Sequence, residues 1–128
     1  MKYFISCSTA DHGKIKALDD LLTGIGHSCM LRWWDTAYGK GEEAFELAFK
    51  RTQAAENSEL FICLLPLTQT ASIELGTALA SRYGKRIILW SATGREFDPE
   101  YAGVFFMHPS VTRLGCSFPE LLDYLKTL

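Results

Sequence analysis

The sequence has few of the features that mark metal-binding and redox proteins. Its four cysteines, Cys7, Cys29, Cys63 and Cys116, are far apart, form no Cys-x-x-Cys pair and have no histidine at the spacing of a zinc site. Cys7 and Cys63 lie within apolar runs, where a buried free thiol is the usual arrangement. We therefore expect no metal site and no cofactor.

Excess positive charge and long apolar runs are also lacking. The chain has 13 Lys and Arg against 15 Asp and Glu, and the net charge of −2 offers no basic field to nucleic acid or to a membrane surface. Apolar runs such as 60–67 are shorter than the ~20 residues of a membrane span. Residues 1–4 lead into a strand-like segment instead of a signal peptide, so we expect a cytoplasmic protein.

What the sequence does contain is a regular alternation of β-rich runs and segments of helical period, typical of a parallel sheet covered by helices. Its 128 residues are 48% hydrophobic, enough for one domain spanning 1–128. The predicted strands are 3–7, 28–34, 60–65, 86–90 and 104–107, with a further short one near 111–114. The predicted helices are 11–23, 42–56, one from about 72 to 83, and one near the end from 118.

The helical periods predict which faces are buried. The inward residues of the first two helices are expected to be Ile15, Leu18, Leu22 and Ile25, and then Phe45, Ala48, Phe49 and Thr52. The order of elements predicts a three-layer α/β/α sandwich with a flavodoxin-like, five-stranded parallel sheet in the order 2-1-3-4-5. Such sheets bind ligands at the carboxyl ends of their strands, which directs attention to the loops that follow them.

Two of these loops contain candidate ligand-binding residues. Ser6, Ser8 and Thr9 precede a helix, where hydroxyls and free amides can hold an anion, although serine or threonine at this place is also a common N-cap. Trp33 and Trp34 point to opposite faces of the predicted strand, so at least one belongs to the core or an interface. The other ring, or Tyr38, is a candidate for stacking on a base or sugar, and we predict that Trp33 or Tyr38 flanks the base.

The third loop leads into the motif Glu74-Leu75-Gly76-Thr77-Ala78-Leu79-Ala80. We place Glu74 in the first turn of the helix, where the helix dipole favours a carboxylate that can attack an anomeric carbon. The alternative is a glutamate that only stabilises the start of a helix. Gly76 costs about 1 kcal/mol relative to alanine inside a helix, which suggests that another group packs closely against it.

This motif, followed by Gly84-Lys85-Arg86-Ile87-Ile88-Leu89, resembles the nucleoside 2-deoxyribosyltransferase family, which includes the 2′-deoxynucleoside 5′-monophosphate N-glycosidases. The resemblance implies that Glu74 attacks C1′ of the sugar and forms a covalent glycosyl-enzyme. Transferases of the family carry Asp six positions before this glutamate and nucleotide hydrolases carry a phosphate-binding Ser; Thr68 stands there in this chain. The resemblance therefore implies a nucleoside or nucleotide ligand, with sugar or phosphate held by Ser6, Ser8, Thr9, Thr68 and Ser72.

One expected residue is missing. The family carries an Asp late in the helix before the central strand, where it handles the leaving base, but this sequence has Ala48, Arg51 and Gln53 around that place. Glycosidases generally use two carboxyl groups. The sequence leaves open whether Asp35, Glu46 or Asp11 substitutes, whether the base needs little protonation, or whether the domain is inactive. Asp35 is also a candidate substrate-binding residue.

A second resemblance is to TIR domains, through Phe4-Ile5-Ser6-Cys7-Ser8, Asp11, Trp34-Asp35, Gly41 and the Glu74-Leu75 helix. It implies cleavage of the nicotinamide–ribose bond of NAD, or a non-catalytic assembly module. The glycine after Glu74-Leu75 favours the deoxyribosyltransferase side. The sequence thus predicts cleavage or transfer at an N-glycosidic bond, with a non-catalytic nucleotide-binding module as the alternative.

The expected partner, besides the small ligand, is a second copy of the chain. In the enzymes that this chain resembles, a neighbouring subunit completes the site. The cluster of Phe105, Phe106 and Met107 with Trp90 and Tyr101 exceeds what a small core requires, although each side chain taken singly can instead fill the core between the last strand and its helix. We therefore expect a homodimer.

Overall fold

The computed structural model describes residues 1–8, 11–35, 42–81, 84–98 and 108–128. The strands are β1 (Lys2–Ser6), β2 (Ser28–Cys29), β3 (Leu60–Leu64), β4 (Arg86–Ser91) and β5 (Val111–Gly115). The helices are α1 (His12–Gly24), α2 (Glu42–Asn57), α3 (Gln69–Ala80) and α4 (Phe118–Leu125), and short 3-10 helices lie at Trp33–Asp35 and Arg95–Phe97.

The strands form one parallel sheet in the order β2-β1-β3-β4-β5, which confirms the predicted fold class. In the register, Ser6 at the end of β1 lies beside Cys63 of β3. Every residue of β3 is buried, as expected for a central strand with helices on both sides. Helix α1 contacts α4, and α2 contacts α3, so the sheet is the middle layer of an α/β sandwich.

The first helix differs from the prediction only at its end. Ile15, Leu18 and Leu22 are fully buried, but Ile25 is 42% exposed. The helix ends at Gly24, and Gly26 then takes a left-handed φ of 98°. Ile25 therefore lies in the turn, outside the helical period that the prediction extended through it.

The second strand is much shorter than the predicted 28–34. It ends at Cys29, and Trp33 and Trp34 lie in a 3-10 helix. The Trp33 indole N–H donates a hydrogen bond to the carbonyl of Ile5 at 2.7 Å. Ile5 lies beyond the end of the edge strand β2, so the side chain of Trp33 takes the place of a backbone donor there.

The predicted buried face of α2 was wrong. Phe45 and Phe49 are 76% and 58% exposed, Ala48 is exposed and Thr52 is half-buried. The inward side chains are instead Leu47, Arg51, Ala54 and Ala55. Hydrophobic periodicity favours burial of the two phenylalanines over burial of an arginine. It cannot predict that Arg51 is buried, because that depends on its ion pair with Glu74 of α3.

The fifth strand is Val111–Gly115, the segment for which the sequence indicated only an additional short strand. It pairs with β4 from Ile87↔Val111 to Ser91↔Gly115. The predicted strand 104–107 lies outside the described residues. Trp90 is 3% exposed, because its ring meets Phe118 edge to face and its N–H donates to the carbonyl of Cys116 at 2.9 Å. It is a core residue, and Tyr101, Phe105, Phe106 and Met107 lie outside the described part of the chain.

Across the described ranges, no helix is both long and apolar enough to cross a membrane.

Candidate functional site

The carboxyl ends of β1 and β3 form the centre of the candidate site. These two strands are neighbours, but the chain leaves β1 toward β2 on one side and leaves β3 toward β4 on the other. The order of the strands reverses here, which is where open α/β sheets bind their ligands. Ser6, the last residue of β1, and α3, the helix that follows β3, therefore meet at the expected place.

The start of α3 is fixed by its own hydroxyl groups. Thr68 is the N-cap, and its side-chain oxygen accepts a hydrogen bond from the Ala71 amide at 3.0 Å. The Ser72 hydroxyl donates to the Thr68 carbonyl at 3.0 Å. Ser72 is exposed and Thr68 is half-buried. Both predicted ligand-binding hydroxyls are thus at the helix start, and both make helix-stabilising hydrogen bonds.

Glu74 lies deeper than the sequence predicted. Because α3 begins at Gln69, Glu74 is its sixth residue and occupies the second turn, which corrects its predicted place in the first. The favourable effect of the helix dipole fades within the first turn. Glu74 is 1% exposed, so a buried carboxylate at this depth requires another source of positive charge.

That charge comes from Arg51 of α2. Its Nε donates to Oε2 of Glu74 at 2.6 Å, and its second terminal nitrogen donates to Oε1 at 2.8 Å. The two side chains are 2% and 1% exposed, so the pair is both bidentate and buried. The Ser6 hydroxyl donates to Oε1 at 2.6 Å as a third hydrogen bond. The guanidinium fork balances the charge of the carboxylate and fixes its orientation.

Arg51 is itself held against an aromatic ring. Its guanidinium carbon lies 3.8 Å from the centroid of the Trp33 ring, a cation–π arrangement. Trp33 is fully buried and anchored to β1 through its bond to Ile5. The ring predicted as a stacking surface for a base therefore has Arg51 against it in this structure. Trp34 contacts Trp33 edge to face and is half-buried.

The cysteine thiols nearest this pair are poor nucleophiles. Burial raises the pKa of Cys7 to about 12, and the charge of Asp11 adds to the increase. Burial likewise raises the pKa of Cys63 far above its ordinary value. A thiolate is the reactive form of cysteine, so neither side chain competes with Glu74 as a nucleophile near neutral pH.

The remaining predicted site residues are dispersed. Ser8 follows β1 and is half-buried, and its carbonyl accepts a hydrogen bond from the Asp11 amide at 3.1 Å. Asp35 is exposed and lines a polar cavity of about 220 Å³. Glu74 is not among the described residues that line this cavity, so the structure does not bring Asp35 and Glu74 together there. The other lining residues are His12, Lys16, Asp19, Asp20, Arg32 and Trp34. Thr9 and Tyr38 lie outside the described residues.

None of the carboxylates considered as a general acid contacts Glu74 in the ranges described. Asp11 forms an ion pair with Lys14 at 3.6 Å, Glu46 is exposed on α2, and Asp35 lines the separate cavity. At the place in α2 where the sequence lacked the expected aspartate, the structure has Arg51. The described side chains also form no group of three potential metal ligands among His, Cys, Asp and Glu.

Gly76 does not have the close neighbour that the sequence suggested. An added Cβ would meet no described atom within 4 Å outside its chain neighbours and the backbone of its own helix. Close approach occurs elsewhere, since a Cβ on Gly115 would lie 2.8 Å from the Cα of Gly94.

Comparison with known proteins supports the fold. No family model and no curated protein sequence matches the chain. Among solved structures, the CMP N-glycosidase BcmB of Clostridium botulinum is similar, with a TM-score of 0.70 at 22% identity over 100% of both chains. The two chains share their fold over their whole lengths.

Arg51 is the site residue that sequence reasoning missed. In the sequence it is only a departure from the expected aspartate, because an arginine in an amphipathic helix ordinarily lies on the solvent face. The available signal was the i, i+3, i+4 spacing that puts Arg51 on one face with Leu47, Ala54 and Ala55. That face buries an arginine because Glu74 of α3 supplies its counterion.

Proposed function

We propose that this protein cleaves the N-glycosidic bond of a nucleoside or nucleotide, with Glu74 as the nucleophile. The observation that carries the proposal is the buried carboxylate of Glu74 at the point where the strand order reverses, oriented by three hydrogen bonds from Arg51 and Ser6. A carboxylate held in this way has the fixed position that attack on a sugar C1′ requires.

The proposed reaction has two displacements at the same carbon. An oxygen of Glu74 bonds to C1′ while the C1′–N bond breaks, and its electron pair leaves with the base, which takes a proton from water. A second water then attacks C1′, the bond to Glu74 breaks with its electrons returning to the carboxylate, and the proton of this water passes to solvent. Two inversions give overall retention at C1′.

A nucleoside monophosphate is the proposed substrate class. Thr68 and Ser72 stand at the amino end of α3, and Ser8 follows β1 toward the same edge of the sheet. Hydroxyls at a helix start are suited to an anionic group such as phosphate. The structurally similar protein is described as acting on CMP, which is a nucleotide of this class.

The test measures the release of free base, which is detected by chromatography. Wild-type protein is incubated with CMP, the deoxynucleoside monophosphates, the corresponding nucleosides and NAD. We expect release from at least one monophosphate, loss of that release in Glu74→Gln, and normal release in the control Glu43→Gln, whose side chain is exposed on α2. Equal release by Glu74→Gln would contradict the proposed nucleophile, and release from NAD alone would favour a TIR-like glycohydrolase.

A second candidate is a non-catalytic nucleotide-binding module. It is favoured by the 1% exposure of Glu74, because a carboxylate enclosed by Arg51 and Ser6 must become accessible before it can attack a sugar. Calorimetric binding of a nucleotide by wild-type protein, with no base released on prolonged incubation, would support the module instead of the enzyme.

A homodimer is also proposed. Phe45 and Phe49 lie one helical turn apart on α2, and α3, which packs against α2, exposes 57% of Ile73. Single exposed apolar side chains are common on protein surfaces, but a contiguous apolar patch is typical of a protein interface, and we propose that these side chains form one. We expect light scattering to give the dimer mass for wild-type protein and for Ile25→Ser, and the monomer mass for Phe45→Ser/Phe49→Ser. A monomeric wild-type protein would contradict the proposal.

A further inference from the structure

We infer that Arg51 is a positioning residue that accelerates release of the glycosyl group from Glu74. The inference rests on the proposed function and concerns the second displacement. Its basis is the buried, bidentate contact between the Arg51 guanidinium and the Glu74 carboxylate, at 2.6 and 2.8 Å.

The two oxygens of Glu74 are held differently. Oε1 accepts hydrogen bonds from both Ser6 and Arg51, whereas Oε2 accepts from Arg51 alone among the described residues. A carboxylate oxygen has two lone-pair directions. Oε2 therefore keeps a lone pair that no described donor uses, and we assign to this oxygen the bond to C1′ that forms once the carboxylate becomes accessible.

Formation of the glycosyl-enzyme changes the charge balance of this pair. When Oε2 bonds to C1′, the carboxylate becomes a neutral ester, and the negative charge that faces the guanidinium of Arg51 is lost. Arg51 is 2% exposed, and a buried guanidinium is stabilised less by a neutral ester than by a carboxylate. When water displaces the sugar, the negative charge returns to Glu74 beside a guanidinium that is already in place, so the pair stabilises the transition state of this step.

Arg51 stays in place when the negative charge of Glu74 is neutralised. Its guanidinium lies on the ring of Trp33, and Trp33 is fully buried and bonded to the β1 backbone. A cation fixed in this way cannot easily turn toward solvent to relieve the charge imbalance. The consequence is an ester that breaks down faster than it forms and does not accumulate.

The experiment compares the two half-reactions in wild-type protein, Arg51→Met and Arg51→Lys. Rapid-quench measurement of base release and mass spectrometry of the protein are made with a monophosphate that the wild type cleaves. We expect no burst of base and no adduct in the wild type. In Arg51→Met we expect a stoichiometric burst of base, an ester of Glu74 with the sugar 5-phosphate, and a steady rate of base release reduced about 10²-fold. Arg51→Lys, which keeps the charge and loses the fork, should fall between them.

Lys50→Met is the matched control, since it removes a charge from the neighbouring, exposed position of the same helix. A merely structural role would slow Arg51→Met without a burst or an adduct, and that result would overturn the inference. If Arg51→Met does not fold, Arg51→Lys decides the question, because a burst and an adduct support the inference and wild-type kinetics contradict it.

The proposed function fails separately from this inference. If wild-type protein releases no base, or if Glu74→Gln releases base normally, both the proposed function and the role of Arg51 are rejected. If wild-type protein is active, Glu74→Gln is inactive and the Arg51 variants show no adduct, only the role of Arg51 is rejected.

Discussion

Replacing Arg51 by methionine tests how strongly the fold depends on the buried ion pair. Methionine retains much of the length of arginine but leaves the Glu74 carboxylate without its cation in a site where both side chains are almost fully buried, at 2% and 1% exposure. Removing one partner of a buried pair costs about 3–5 kcal/mol, because the remaining charge is uncompensated. Domains of this size are stabilised by about 5–15 kcal/mol, so the predicted loss is a large fraction of the total.

The same loss can be expressed as a change in Tm. With an unfolding entropy of about 2.1 cal/mol/K per residue over 128 residues, it corresponds to a decrease in Tm of about 11–19 °C. The double variant Arg51→Met/Glu74→Gln removes both charges and should be more stable than Arg51→Met alone. The interaction between the two substitutions should be about 2 kcal/mol, within the range for residues in direct contact.

Urea unfolding, monitored by circular dichroism, measures the free energies of unfolding, and thermal unfolding measures the change in Tm. Lys50→Met serves as the control, and an exposed substitution of this kind should change the free energy of unfolding by less than about 0.5 kcal/mol. If Arg51→Met and Glu74→Gln each unfold within about 1 kcal/mol of wild type, or if their effects simply add, the pair does not stabilise the fold as described.

Two glycine substitutions should act in opposite directions: Gly76→Ala should stabilise α3 by up to about 1 kcal/mol, whereas Gly115→Ala should destabilise by about 1–3 kcal/mol because its Cβ would lie 2.8 Å from Gly94. Thermal unfolding compares them, and a destabilised Gly76→Ala would contradict the open space at that position. Above pH 9 the unfolded chain ionises thiols that the fold keeps protonated at Cys7 and Cys63, so stability should fall with rising pH. Urea unfolding at pH 8, 9 and 10 should show this decrease, with a smaller slope in Cys63→Ala; a pH-independent stability would refute it.

The layer order and the central strands could be predicted because their signals are local. Residues 60–65 form a continuous apolar run, and the structure confirms β3 at Leu60–Leu64. The alternation of strands and helices also predicts a parallel sheet, because each helical crossover returns the chain to the same end of the sheet, and the structure confirms the flavodoxin-like order 2-1-3-4-5. These features need no information about distant residues.

The errors arose where a distant partner decides the structure. Arg51 is inward on α2 only because Glu74, which follows it by more than twenty positions, supplies its counterion. Trp33 lies in a 3-10 helix instead of the predicted strand, and its indole N–H donates a hydrogen bond to the carbonyl of Ile5 in β1. In both cases local hydrophobic periodicity gave one answer and a specific polar contact required another.

The position of Glu74 could be predicted in part. The sequence placed it on the helix after the central strand, and the structure has it there. Its depth could not be predicted. Because the helix starts at Gln69, Glu74 lies in the second turn instead of the first, and the guanidinium of Arg51 stabilises its carboxylate in place of the helix dipole. Ser6 and Glu74 are both predicted site residues, and the structure brings them together. Ser6 was expected to hold sugar or phosphate, but its hydroxyl donates a hydrogen bond to Glu74.

The most direct test of the central claim is release of free base from a nucleoside monophosphate by wild-type protein and by Glu74→Gln. Circular dichroism of both proteins establishes that each is folded. We predict that wild type releases cytosine from CMP, or the base of a deoxynucleoside monophosphate, and that folded Glu74→Gln does not. Release at the same rate by both proteins would contradict the assignment of Glu74 as the nucleophile.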